Sequence, residues 1–255
     1  KSKADRLERD YGILVTGGQL YRDIAGVGGF NYAVRSDWEA LQLDIVGFAA
    51  GDLAELMQGG QAGFKAKLAP VYLYRSEEGS MPQGNRGLAV PFVGVFLHGV
   101  KSEWFPIQEM KWTIVHELAH WWDFNRWFEL SRGMVVGGMW GAVWPSERAE
   151  CRLYWGLELE VREWQLSELG RPKPPNVLED WAESVATYVY HEYAPHVLPK
   201  YYGPKYMSES RWNYVAQHMN PQHPKTYPWK WSFKIVRPPS PVGPSSEGSR
   251  LPPER

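Results

Sequence analysis

The 255-residue chain contains one cysteine, Cys151, so no internal disulfide can form. This excludes a small fold stapled by disulfides and fits a cytosolic or an exported protein equally well. Glu150-Cys151-Arg152 lacks the flanking residues of thiol enzymes, which favours an inert thiol over a nucleophile. No apolar run reaches the roughly 18 residues that a membrane-spanning helix needs, so no span is expected. Excess charge is missing too. The 28 Lys and Arg against 29 Asp and Glu leave a formal net charge of −1. Such a balance argues against nucleic acid or an anionic membrane as the main partner. The chain opens at Lys1 without a methionine, as expected of a processed or trimmed form from which any signal peptide would already be gone. An exported or secreted protein is favoured over a cytoplasmic one.

Aromatic residues are plentiful, with 14 Trp and 14 Tyr. They are expected to thicken a core or to line an aromatic groove. The length suits a single domain over residues 1–237. From 238 to 255 the chain is Pro, Ser and Gly without an apolar pattern, which reads as a flexible tail.

The chemistry is concentrated in His116-Glu117-Leu118-Ala119-His120. H-E-x-x-H on a helix stacks two imidazoles one turn apart, where both can bind one zinc ion, with the glutamate placed to act as general base. The surroundings are helical. Pro106 suits a first turn, and Trp112, Val115, Leu118, Ala119 and Trp122 recur at helical spacing, predicting a helix from about Pro106 to Trp127. His116, His120 and Asp123 share a stripe beside its apolar face. The alternative is an accidental motif in a metal-free core.

A catalytic zinc needs a third protein ligand. The extended motif with a glycine and a third histidine is excluded, because those positions hold Asp123 and Arg126. The best source is Leu178 to Val189, where Leu178, Trp181, Ala182, Val185, Ala186 and Val189 repeat helically after Pro174-Pro175-Asn176. Glu179 and Glu183 lie one turn apart there, so one can bind metal while the other orients a ligand imidazole. The alternatives are a solvated acidic face or a cap made by Asn176 and Glu179. The acids of the Ser146–Gly170 segment (Glu147, Glu150, Glu158, Glu160 and Glu163) lack such a paired setting.

H-E-L-A-H-W-W-D at His116 to Asp123, with E-D-W-A-E at Glu179 to Glu183, resembles the gluzincin metallopeptidases, in particular the family of the anthrax lethal factor catalytic domain. The resemblance covers two helices. It implies a zincin-like α+β fold and one catalytic Zn2+ held by His116, His120 and Glu179. It further implies Glu117 as base, Glu183 behind the ligands, and Asp123 in a local structural or supporting role. The family's tyrosine seven residues before the third ligand is Pro172 here, so oxyanion help must come from another group. The implied function is zinc-dependent endopeptidase action on a peptide or protein substrate. The alternative is an inactive zincin-fold component of a larger assembly.

The expected architecture is a small mixed sheet in the N-terminal part, with mainly helices after Pro106. Trp38 to Met57 reads as a helix, and Pro70 to Tyr74 as a strand. Leu88 to Leu97 reads as an apolar strand, or two broken near Pro91. This last segment is expected to be either the edge strand over the active-site helix or an internal strand. Gly133 to Gly141 reads as a glycine-rich connector. Trp229, Trp231, Phe233 and Ile235 alternate as a docked strand. His191, His196, His218 and His223 are expected to be packing or surface residues.

Overall fold

A computed structural model of the chain describes residues 2–15, 38–76, 86–98, 104, 106–136, 177–194, 207 and 209–229. Cys151, Pro172, the Ser146–Gly170 segment, residues 137–141 and 230–235, His196 and the 238–255 tail lie outside the described residues.

The chain is α+β. Helix α1 (Lys3–Tyr11) starts from a capping box in which Ser2 Oγ accepts the Asp5 N–H and Asp5 accepts the Ser2 N–H. Strand β1 (Ile13–Val15) follows, then α2 (Ala40–Leu56), α3 (Gly60–Leu68) and β2 (Val71–Ser76). A hairpin of β3 (Gly87–Val90) and β4 (Gly94–His98) leads to the motif helix α4 (Ile107–Asn125) and to α5 (Glu129–Val136). Two further helices are α6 (Val177–Val189) and α7 (Glu209–Met219).

The apolar stretch from Leu88 to Leu97 is therefore two strands. Pro91 has no N–H for a ladder, and Val93 N–H closes the turn onto the Val90 carbonyl at 3.1 Å. Gly94 has a φ of 150°, and a Cβ there would lie 2.4 Å from the Tyr72 carbonyl oxygen, so glycine is required beside β2. The sheet is mixed, in the order β1-β2-β4-β3. β1 and β4 both run parallel to β2, whereas β3 runs antiparallel to β4. Among the described residues β3 is thus an edge strand, and it lies against α4.

The core forms between the sheet and α2, α4, α6 and α7. Ile45, Ala49, Ala50 and Leu53 of α2 are fully buried, and the two alanines give α4 room to pack closely. Among the described residues most aromatic side chains are buried or packed against the core. Trp104, Trp181 and Trp212 are fully buried. The indole N–H groups of Trp181 and Trp212 find carbonyl partners, while that of Trp104 has none among the described residues. Trp181 Nε1 donates to the Ala119 carbonyl at 3.0 Å, which ties α6 to the motif turn of α4. Trp212 Nε1 donates to the Lys225 carbonyl at 2.8 Å. Trp229, the first residue of the expected docked strand, packs onto Trp212 and Tyr227; the rest of that segment lies outside the described residues.

The α6–α7 contact is fixed by an ion pair. Arg211 donates to both oxygens of Asp180 at 3.0–3.1 Å, and both residues are buried. Excellent geometry is what lets such a pair offset its loss of hydration.

Candidate metal centre

Two helices assemble the site. α4 supplies His116, Glu117 and His120 from one buried turn, and α6 supplies Glu179 and Glu183 from its first two turns. The helical repeat stacks His116 and His120, with ring centroids 4.8 Å apart. Their Nε2 atoms are 3.1 Å apart. Glu179 completes a triangle, with Oε2 3.1 Å from His116 Nε2 and Oε1 3.4 Å from His120 Nε2. Donors bonded to one tetrahedral ion at about 2.0–2.2 Å are separated by about 3.3–3.6 Å. The measured separations are close to that edge length. His116, His120 and Glu179 thus form a group able to hold a metal ion.

Hydrogen-bond accounting supports the same conclusion. His116 Nδ1 lies 2.9 Å from Glu183 Oε2, so this nitrogen carries a proton and donates it. The neutral ring then presents a lone pair at Nε2, toward a second imidazole nitrogen and a carboxylate. Acceptors converge where a donor or a cation is needed. Without a metal the proton fills that need. Burial lowers the His116 pKa, but hydrogen bonds to Glu179 and Glu183 outweigh it and hold the ring well above its usual value. Glu179 responds in the opposite direction. Burial alone raises its pKa, yet hydrogen bonds from His116 and His120 pull it far below the ordinary carboxylate range.

The histidines are oriented differently. Glu183, buried in α6, fixes the tautomer of His116. His120 Nδ1 is buried and has no hydrogen-bond partner among the described residues. Its ring is instead held by stacking on Phe124, with centroids 6.0 Å apart and planes 19° apart. The two imidazoles are largely covered, whereas the Glu179 side chain is 44% exposed. The group therefore meets solvent on the Glu179 side.

Glu117 lies beside the ligand group, with its side chain against β3. The His98 N–H bonds the Arg86 carbonyl at 2.8 Å, and Leu88 and Val90 pair with Phe96 and Gly94. This parity turns Arg86, Leu88 and Val90 toward β4, and turns the backbone of Gly87 and Ala89 toward the open edge. There the Ala89 N–H lies near the Glu117 carboxylate and favours its charged form. Gly87 permits the approach, since a Cβ on it would lie 2.5 Å from Glu117 Cγ and 2.7 Å from Oε1. Burial raises the Glu117 pKa and nearby Glu179 adds to the rise, against His116, His120 and the Ala89 N–H. A buried carboxylate with an elevated proton affinity beside a cation site is suited to taking up a proton.

Five of the six residues singled out from the sequence meet at this place. Asp123 does not. Its Oδ1 accepts the N–H groups of Leu130 and Ser131 at 2.9 and 3.1 Å, so it caps α5 and holds the chain after the motif helix. Its role is local and structural. The other histidines pack elsewhere: His191 on Trp212, His218 between Trp181 and Tyr214, with His223 exposed in a turn. Tyr188 and Tyr190 are core residues; Tyr190 donates its hydroxyl to Asp52 at 3.0 Å. Gly87 and Ala89 went unnoticed in the sequence. The available signal was a glycine opening an apolar strand, which often marks close approach by another group.

No family model matches the chain, and comparison with curated proteins and with solved structures finds no match either. The functional reading therefore rests on residues and geometry. Among the described residues no helix is long and apolar enough to cross a membrane.

Proposed function

We propose that this chain is a zinc-dependent endopeptidase of gluzincin type with a zincin-like fold. The observation that carries this reading is the convergence of His116, His120 and Glu179 at tetrahedral spacing, with Glu117 buried beside them against β3, an edge strand among the described residues. Two imidazoles and one carboxylate form a mixed nitrogen and oxygen set that suits zinc. Three protein ligands, with solvent access at Glu179, are the arrangement of a reactive rather than a closed structural site.

Zinc held by these three residues would supply Lewis acidity toward a carbonyl and acidify water. Glu117 takes the proton of the attacking water and returns it to the departing amine. Its burial against β3 keeps that proton from bulk solvent, and the nearby Ala89 N–H favours the charged carboxylate before the first transfer and after the second. Glu183 holds His116 in the tautomer that leaves Nε2 free to ligate. The open edge of β3 accepts a peptide as an added strand, which binds main chain with little regard to side-chain sequence.

The test is Glu117→Gln in the zinc-loaded protein. The variant is expected to keep one equivalent of zinc and to lose peptide cleavage by at least about 100-fold. Full activity would refute the assignment. Zinc bound at one equivalent to the parent, with no cleavage across a peptide library, would instead support an inactive zincin-fold component of an assembly.

A further inference from the structure

Three aromatic residues occupy backbone conformations that L side chains rarely adopt. Phe92, in the β3–β4 turn, has a φ of 64°; Trp127 and Phe128, in the α4–α5 turn, have φ of 54° and 64°. Glycine or asparagine relieves such strain, yet the chain carries bulky rings. Two of these rings are also exposed, Phe92 at 74% and Trp127 at 69%. They touch across the two turns, with centroids 5.7 Å apart. Strain and solvent exposure are both unfavourable, and core packing explains neither ring.

The position of the pair is informative. Phe92 lies three residues beyond Ala89, in the turn that Val93 closes onto Val90 at the end of β3, so a peptide laid along β3 reaches it about three residues past the point opposite Ala89. Trp127 lies seven residues beyond His120, in the turn just past the C-terminal end of the motif helix. The two elements run side by side, so both place the pair at the same end of the edge strand. A row of rings runs from the site to Phe128, the chain neighbour of Trp127 in the α4–α5 turn. His116 contacts His120, His120 stacks on Phe124, and Phe124 meets Phe128 edge-on at 5.3 Å.

We propose that Phe92 and Trp127 form a substrate subsite, which takes a large apolar or aromatic side chain of an extended peptide about three residues from the bond that is cut. This rests on the peptidase reading and adds a substrate class to it: polypeptide segments carrying an exposed aromatic or large aliphatic residue. Offset or edge-on rings at 4.5–7 Å are the preferred contact between aromatic groups, and a third ring entering the pair completes such a cluster. The left-handed turns aim both rings out of the body, where a strand laid along β3 would pass.

The test uses the full zinc-loaded chain and labelled decapeptides in which one phenylalanine moves along an Ala, Thr and Lys background. Cleavage is expected to keep step with the phenylalanine, about three residues away. Phe92→Gly with Trp127→Gly is expected to lose that register and about tenfold in kcat/KM on the phenylalanine peptides. It narrows the gap to a phenylalanine-free peptide, and it melts no lower than the parent because glycine accepts positive φ. Phe92→Tyr retains the register.

Binding of the same peptides to zinc-loaded Glu117→Gln, read by fluorescence anisotropy, separates the two readings. If the parent cuts nothing but phenylalanine-dependent binding is lost with the pair, the subsite stands and the peptidase reading falls. If neither cut position nor binding responds to the phenylalanine or to the pair, the subsite is overturned. It is equally overturned if the double substitution changes only the sedimenting mass, which would assign the patch to contact between copies of this chain.

Discussion

Replacing Gly87 with alanine should impair the proposed base while leaving the fold and the metal ligands intact. The backbone of Gly87 lies outside the positive-φ region, so alanine brings no backbone strain. The added Cβ would fall 2.5 Å from Glu117 Cγ, 2.7 Å from Oε1 and 2.9 Å from Cδ. Ordinary carbon contacts begin near 3.5 Å, so something must move by about 1 Å. The β3 backbone is fixed by β4, whereas the Glu117 side chain can change its torsions, so the carboxylate gives way and moves off the Ala89 N–H. A displacement of about 1 Å in a reacting group costs on the order of 100-fold in rate, which corresponds to about 2.7 kcal/mol of barrier. Stability should hold or rise slightly, because alanine restricts the unfolded chain more than glycine does. The assay is peptide turnover with zinc content measured on the same samples, together with hydrogen exchange at the Ala89 amide. The expected result is full zinc, a large drop in kcat and faster Ala89 exchange. Turnover within about twofold of the parent, with Ala89 still protected, would refute the reasoning.

Two further substitutions probe the supports of the site. Glu183→Gln removes the carboxylate that fixes the His116 tautomer and is expected to weaken zinc binding by about 10–100-fold, measured by competition with a chelating dye. Unchanged affinity would remove Glu183 from the site. Arg211→Met leaves Asp180 charged and buried without its bidentate partner, which is expected to cost roughly 3–5 kcal/mol and to lower Tm by on the order of 10 °C in a thermal scan. A Tm within about 2 °C of the parent would show that this pair does not hold α7 to α6.

The ligands were legible because each lies in a local pattern. H-E-x-x-H is a one-turn spacing, and Glu179 with Glu183 is another, so helical periodicity alone places each pair on one face. What brings the two faces together is longer in range. Trp181 bonds the Ala119 carbonyl, and neither residue advertises that pairing in its own segment. The sheet divides in the same way. Individual strands around Val71–Ser76 and Gly87–His98 follow from branched and aromatic residues, and the break at Pro91 follows from its missing N–H. That β1 joins the sheet, and that β4 sits inside it with β3 at the edge, depends on pairings between distant residues. Asp123 shows the limit of a shared stripe. It follows His120 by three residues, yet its carboxylate turns to cap α5, since the N–H groups of Leu130 and Ser131 lie closer and unpaired. The exposure of Trp127 was equally hidden. In so aromatic a chain the reasonable expectation for any tryptophan is burial, and only the turn geometry sets this one apart.

The central claim is that one divalent ion is held by two imidazoles of α4 and one carboxylate of α6. X-ray absorption at the zinc edge, on protein purified without added metal and then brought to one equivalent of zinc, tests it most directly. The account predicts first-sphere nitrogen and oxygen at about 2.0–2.2 Å, with the multiple-scattering signature of two imidazoles, and loss of that signature in His116→Ala and His120→Ala. Zinc that fails to bind at one equivalent, or a spectrum that is the same in both variants as in the parent, would contradict it.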